Sequence, residues 1–95
     1  MTKHIDIVIT GKVQGVFFRA ATKAVADQLG VKGYVKNEKD GTVFVAAEAD
    51  SALLDMFLEW CNEGPEKAEV KEVKSSGGEL KNYRNFEVMK KNLLW

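Results

Sequence analysis

The chain has 95 residues and a mass of 10.6 kDa, which is enough for one small domain and too little for two. Fourteen basic residues balance 14 acidic ones, so no global charge draws the chain to nucleic acid or to an anionic membrane. A single cysteine excludes an internal disulfide framework and every multi-thiolate zinc site, and we expect a reducing, cytoplasmic setting. No apolar stretch reaches the roughly 18 residues that span a bilayer.

The N-terminal third of the chain predicts a strand followed by a helix. Residues 4–10 alternate apolar and polar side chains, as a half-buried strand does, and Gly11 is predicted to end that strand. From residue 18 to residue 29 apolar side chains recur at three- and four-residue spacing, and Gly30 follows as a stop signal. The loop between these two elements contains two glycines.

The middle of the chain predicts a hairpin and a second helix. Residues 31–36 and 42–49 are rich in β-branched and aromatic side chains, and an Asp-Gly turn signal separates them. Two antiparallel strands are therefore expected. An apolar stripe at helical spacing then begins after Asp50 and Ser51, which are both good N-caps, and it breaks at Gly64.

The last third predicts two further strands. Residues 66–74 indicate a bulged or edge strand, residues 83–89 a final strand, and the Gly77-Gly78 pair between them a turn. The element order predicts an α+β fold, the ferredoxin-like split βαβ (βαββαβ) sandwich, with an antiparallel sheet and two helices on one face. We expect residues 1–95 to form one such domain. This fold alone does not identify a function.

Charge is distributed unevenly along this neutral chain. Residues 1–37 contain six basic and two acidic side chains, a net charge of +4, and residues 7–26 contain no carboxylate. Arg19 falls in the first turn of the predicted helix, where the helix dipole disfavours a cation. Its guanidinium would lean back over residues 11–17, whose glycines allow backbone N–H groups to form a concave nest. A phosphate fits such a site, although an ordinary turn beside a solvated arginine also fits the pattern.

Asn37 lies at the entrance of the predicted hairpin. Asn is a common turn residue, and that role alone can explain it. In the split βαβ arrangement, however, the end of this strand lies at the same sheet edge as the loop before the first helix. The Asn37 amide would then face that loop, able to donate one hydrogen bond and accept another.

Two segments resemble the signatures of the acylphosphatase family. Residues 11–19, GKVQGVFFR, resemble Gly-x-Val-Gln-Gly-Val-x-Phe-Arg, and residues 33–43, GYVKNEKDGTV, resemble Gly-x-Val-x-Asn-x-x-Asp-Gly-x-Val. The resemblance implies an enzyme that hydrolyses small-molecule acyl phosphates to a carboxylate and inorganic phosphate. We further expect no metal or other cofactor, competition by inorganic phosphate, no nucleic-acid or membrane partner, and a monomer, although the sequence leaves the oligomeric state open.

The resemblance also implies a role for each site residue. Arg19 and Asn37 would be catalytic, Arg19 by binding the phosphoryl group and Asn37 by positioning the attacking water. Backbone amides would complete the phosphate-binding loop, which comprises Gln14, Gly15, Val16, Phe17, Phe18 and Arg19. Phosphoryl transfer needs mainly positioning and electrostatic stabilisation, so few catalytic side chains suffice.

A non-catalytic binding module of the same fold is the alternative, either RNA-binding or regulatory. Tyr34 falls where an aromatic of the RNA-recognition motif would be, but the following residues lack the further aromatics that stack on bases. His4 is predicted to be a solvated strand residue and Cys61 a buried, inert thiol. The terminal Leu93-Leu94-Trp95 could pack on the domain or contact another chain.

Overall fold

The fold is a five-stranded sheet with two helices on one face, as seen in a computed structural model that describes residues 1–90. The elements in chain order are β1 (Thr2–Lys12), α1 (Phe18–Leu29), β2 (Lys32–Asn37), β3 (Val43–Asp50), α2 (Ser51–Glu63), β4 (Glu69–Gly78) and β5 (Phe86–Val88). The strand order is β4-β1-β3-β2-β5. The predicted ferredoxin-like fold is confirmed, except that β2 and β5 pair in parallel, so the sheet is mixed. The Leu93-Leu94-Trp95 segment lies outside the described residues.

Helix α1 has the bounds that the sequence predicts, because its stop signal is local. Gly30 adopts the left-handed conformation (φ 81°), and its N–H caps the carbonyls of Ala26 and Asp27. The buried face of α1 is formed by Phe18, Thr22 and Ala26. Neither helix in the described range has the length and apolarity to cross a bilayer.

The register of the central strands fixes where the loops meet. Ile9 of β1 and Asn37 of β2 both pair with Val43, the first residue of β3, from opposite sides. Ile9 and Val43 are fully buried beneath the helices, and slipping either strand by one residue would turn its buried side chain toward solvent. The loop that follows β1 is therefore held beside the end of β2.

Strand β1 continues past Gly11, so the prediction that this glycine ends the strand is wrong. The pairing of β1 with β4 shifts register between Thr10 and Gly11, which is a β-bulge, and then continues to Lys12. Gly11 has φ 133°, and a Cβ there would overlap the carbonyl oxygen of Glu69. Glycine is thus needed at this position to let β4 approach closely, not to end β1.

The predicted turn at Gly77 and Gly78 is also wrong. These residues end β4, where they pair with Ile5 and His4 of β1. A Cβ on Gly78 would lie 2.9 Å from the ring carbon Cδ2 of His4, so the absence of a side chain makes room for the imidazole. The prediction of an edge strand in this region is confirmed, since β4 is at one end of the strand order.

Candidate active site

A pocket of about 370 Å³ lies where the β1–α1 loop (residues 13–17), the start of α1, the end of β2 and β5 meet. The residues lining it are Val13, Gly15, Phe17, Phe18, Arg19, Ala20, Asn37, Val88 and Lys90. Both predicted catalytic side chains, Arg19 and Asn37, are therefore in one pocket. Of the predicted phosphate-binding loop, only Gln14 and Val16 are not among the lining residues.

The β1–α1 loop is anchored by two buried valines. Val13 and Val16 are 1% and 7% exposed, whereas Gly15 and Phe17 are exposed and adopt the left-handed conformation, with φ of 73° and 61°. For Phe17 this conformation costs about 1–2 kcal/mol, which the anchored neighbours must offset. Left-handed residues in a loop turn successive N–H groups toward one side, as in anion-binding nests.

The N-terminus of α1 opens onto this pocket without a cap from the protein. Its N-cap residue, Phe17, makes no side-chain capping hydrogen bond, and the first turn carries no acidic residue. The free N–H groups and the positive end of the helix dipole are therefore directed at the pocket. An anion placed there would gain hydrogen bonds and favourable electrostatics.

Arg19 adds a cation to this already positive region. Its Nη1 donates to the carbonyl oxygen of Met89 at 2.8 Å, which ties the guanidinium to the end of β5. The ion pairs found within residues 1–90 involve other cations, so no carboxylate of that range neutralises Arg19. The remaining guanidinium N–H groups form a planar fork suited to two oxygens of one oxyanion.

Asn37 presents an acceptor with no partner. Its Oδ1 is buried and accepts no hydrogen bond from any described residue. Leaving a buried acceptor unpaired costs about 1–3 kcal/mol, so a donor is expected to occupy this position in the working protein. Asn37 also lines the pocket, so its amide is close to any molecule bound there.

The Gln14 side chain has a bracing role that the sequence analysis does not predict. Its Nε2 donates to the carbonyl oxygens of Glu38 and Thr42, at 2.8 and 2.9 Å, which are at the two ends of the hairpin turn. These bonds fix the β1–α1 loop against the turn that begins at Asn37. The only sequence signal for this role is the residue type, because a primary amide has two N–H donors and can bind two carbonyl oxygens.

The acidic residues of the hairpin turn have partners of their own. The Glu38 carboxylate lies 3.5 Å from Lys36 Nζ, and Glu38 does not line the pocket. Asp40 accepts hydrogen bonds from the hydroxyl and the backbone N–H of Thr42, and these lower the pKa of the Asp40 carboxyl. The turn therefore places no unpaired carboxylate against the positive pocket.

His4 is buried, so the prediction that it is solvated is wrong. It is 5% exposed on the sheet face opposite the helices, where its Nδ1 lies 2.7 Å from Glu48 Oε2 and its Nε2 lies 2.8 Å from Asp6 Oδ1. Burial disfavours the imidazolium, but hydrogen bonds to the two carboxylates outweigh burial and raise the pKa of His4. Both ring nitrogens of His4 therefore have carboxylate partners, and His4 does not line the pocket.

Glu48 is the centre of this polar cluster. Its carboxylate accepts hydrogen bonds from the backbone N–H groups of Lys81, Asn82 and Tyr83 at 2.6, 3.0 and 3.3 Å. Burial opposes ionisation of Glu48, yet these bonds and His4 lower its pKa on balance. The cluster fastens the segment that leads into β5, and β5 in turn borders the pocket.

Two other predicted residues have clear surroundings. Cys61 is buried on α2 as predicted, and burial raises the pKa of its thiol to about 12. Tyr34 is half-buried, with its ring centroid 5.9 Å from the rings of both Phe44 and Tyr83, so it packs within a group of aromatic side chains. Within residues 1–90, no cluster of three His, Cys, Asp or Glu side chains is arranged to hold a metal ion.

The element order and the pocket define a ferredoxin-like α+β protein with an arginine-containing site at the start of its first helix. A family model described as acylphosphatase matches residues 5–88. The chain therefore belongs to the acylphosphatase family, and the predicted family and enzyme class are confirmed.

Individual relatives agree over nearly the whole chain. An acylphosphatase from a Nocardioides species is 42% identical over 88 residues, covering 93% of this chain and 89% of that protein. One from Archaeoglobus fulgidus is 45% identical over 84 residues, covering 88% and 94%. The structure of an acylphosphatase from Coxiella burnetii matches with a TM-score of 0.90 at 34% identity and covers 93% of each chain.

Proposed function

We propose that the pocket hydrolyses acyl phosphates to a carboxylate and inorganic phosphate by direct attack of water, without a metal ion. Membership of the acylphosphatase family supports the reaction. The observation that carries the mechanism is the buried, unpartnered Oδ1 of Asn37 in the same pocket as the Arg19 guanidinium. A nucleophilic water needs a hydrogen-bond acceptor to orient it beside the bound phosphoryl group, and Asn37 Oδ1 would be that acceptor.

The phosphoryl group is held by the backbone and by Arg19 in this proposal. Amides of residues 14–19 and the open N-terminus of α1 donate to its oxygens, and the guanidinium stabilises the charge that develops on them in the transition state. The anchor from Arg19 to the Met89 carbonyl keeps the fork oriented before substrate arrives. Preorganised donors of this kind contribute more than flexible ones because they need not reorient during the reaction.

Asn37 orients the nucleophile. Its Oδ1 accepts a hydrogen bond from water, whose oxygen attacks phosphorus while the bond from phosphorus to the acyl oxygen breaks. The electron pair of that bond leaves on the carboxylate, and both water protons end on phosphate oxygens, giving dihydrogen phosphate. We propose that a phosphate oxygen of the substrate takes the proton, because no histidine or carboxylate of residues 1–90 lines the pocket. The leaving carboxylate needs no protonation.

Hydrolysis of benzoyl phosphate in the presence of a chelator tests the proposal. Wild type should be active, and Arg19→Ala and Asn37→Ala should each lose about 10²–10³-fold in kcat. Arg84→Ala and Asn62→Ala are matched controls, since Arg84 and Asn62 are exposed and do not line the pocket. An inactive wild type, or a folded Asn37→Ala enzyme with full turnover, would contradict the assignment.

Two solution properties belong to the same proposal. Inorganic phosphate should compete with substrate, and the pH profile should show no essential enzyme base with a pKa of about 6–7. We also propose that residues 1–95 act as one monomeric domain in the cytoplasm. The near-full-length match to relatives named acylphosphatase supports the single domain. Sedimentation at working concentration checks the monomer, and a dimer there would contradict it.

A further inference from the structure

Phe17 is the exposed aromatic residue of the β1–α1 loop. Its side chain is 79% exposed, whereas its neighbours Val16 and Phe18 are 7% and 2% exposed. The loop thus buries the residues on both sides of Phe17 and leaves the Phe17 ring in solvent at the edge of the pocket. Phe17 also holds the left-handed conformation that a bulky residue rarely adopts. Such strain at a pocket is an observation that points to function.

The lining of the pocket beside Phe17 is divided between polar and apolar residues. Arg19, Asn37 and Lys90 are polar, whereas Val13, Ala20 and Val88 are apolar. An acyl phosphate has the same division, because its phosphoryl group is charged and its acyl chain is attached through one bridging oxygen. When the loop amides bind the phosphoryl group, the acyl group, which is joined to phosphorus through one oxygen, therefore lies close to the loop that carries Phe17.

We propose that the Phe17 ring is the specificity-determining contact for the acyl group, and that it favours aromatic and other apolar acyl phosphates over small ones. The inference rests on the proposed function. The backbone of Phe17 contributes to the phosphate-binding loop, while its side chain is free of any packing role in the core. When the Phe17 ring stacks on an aromatic acyl group, apolar surface of both rings is removed from water. An acetyl group is too small to bury as much apolar surface.

The test compares benzoyl phosphate with acetyl phosphate, whose leaving carboxylates are of similar acidity. The variants are Phe17→Asn, which removes the ring with a residue that tolerates the left-handed conformation, and Phe17→Tyr, which keeps the ring. Met56→Asn is the matched control, because Met56 is an apolar residue on α2 that is 55% exposed and does not line the pocket. The readout is the ratio of kcat/KM for the two substrates, with the inhibition constant of inorganic phosphate measured alongside.

The ratio should fall about fivefold or more in Phe17→Asn and stay close to wild type in Phe17→Tyr and Met56→Asn. Phosphate inhibition should change less than this ratio, because phosphate has no acyl group. A ratio that falls less than about threefold in Phe17→Asn, or a phosphate effect as large as the ratio, would overturn the inference while leaving acyl phosphate hydrolysis standing. A wild type that hydrolyses neither substrate would refute the proposed function and this inference with it.

Discussion

Replacing Glu48 by Gln should destabilise the protein strongly although it changes one atom. Oε2 of Glu48 accepts from His4 Nδ1 and from the N–H of Lys81, and Oε1 accepts from the N–H groups of Asn82 and Tyr83. If the amide NH₂ replaces Oε2, the Lys81 N–H loses its acceptor and His4 must give up its proton at Nδ1 to accept from the amide. If it replaces Oε1, the N–H groups of Asn82 and Tyr83 both lose their acceptor and face another donor. Each buried unpaired donor costs about 1–3 kcal/mol, so we expect a loss of about 3 kcal/mol in the free energy of unfolding.

Urea unfolding followed by circular dichroism measures this loss. For a chain of this size, about 3 kcal/mol corresponds to a fall in Tm of about 12 °C or more. Glu59→Gln is the matched control, because it makes the same chemical change at an exposed position of α2 and should cost under about 0.5 kcal/mol. A loss below about 1 kcal/mol for Glu48→Gln would refute the view that the carboxylate holds the segment before β5.

The pH dependence of this difference follows from the two pKa shifts. The pKa of Glu48 is lowered from its ordinary value of 4.5, so its contribution is present above pH 4.5 and is lost as pH falls through the lower folded-state pKa. The pKa of His4 is raised from 6.5, so its contribution is present below pH 6.5 and is lost as pH rises through the higher folded-state pKa. The stability difference between wild type and Glu48→Gln should therefore be largest between pH 4.5 and 6.5. A difference that grew steadily above pH 6.5 would contradict the charged His4–Glu48 pair.

Four further predictions concern the pocket and the core. Arg19→Lys should lower kcat for benzoyl phosphate about 10²-fold, because an ammonium cannot reproduce the guanidinium fork. Gln14→Ala should lower kcat/KM about 10-fold by loosening the β1–α1 loop from the hairpin, and full activity would contradict the bracing role. Gly15→Ala should cost about 1–2 kcal/mol in urea unfolding because φ is 73°, whereas Gly77→Ala, where φ is not positive and space is open, should not. The Cys61 thiol should resist iodoacetamide at about pH 8 until the protein is unfolded, since burial raises its pKa to about 12.

The elements that the sequence predicts well are those with local signals. The bounds of α1 follow from apolar spacing and from Gly30, and the hairpin turn follows from Asp40-Gly41, where Gly41 has φ 92°. Asp40 also caps Thr42 within the turn itself. Each of these signals lies within a few residues of the feature that it specifies, so no knowledge of the tertiary fold is needed.

The errors all depend on contacts between distant parts of the chain. His4 is buried because strand pairing places Glu48, 44 residues away, directly opposite it on β3. Gly78 belongs to a strand because it pairs with His4 of β1, whose ring occupies the space that a side chain at position 78 would need. The brace from Gln14 to Thr42 spans 28 residues. These features depend on the strand register and on the direction of side chains in the folded sheet, and local sequence periodicity predicts neither of them.

The anchor between Arg19 and Met89 makes the pocket dependent on the completion of folding. The two residues are 70 positions apart, and Met89 reaches Arg19 only after β5 has paired in parallel with β2. Long-range pairing of this kind closes a large loop and is slow to form. An intermediate that has α1 and the hairpin but lacks the β5 edge would hold a mobile guanidinium and an open pocket wall. Recovery of activity during refolding should therefore coincide with the last cooperative step, so that turnover reports on complete folding instead of on helix formation.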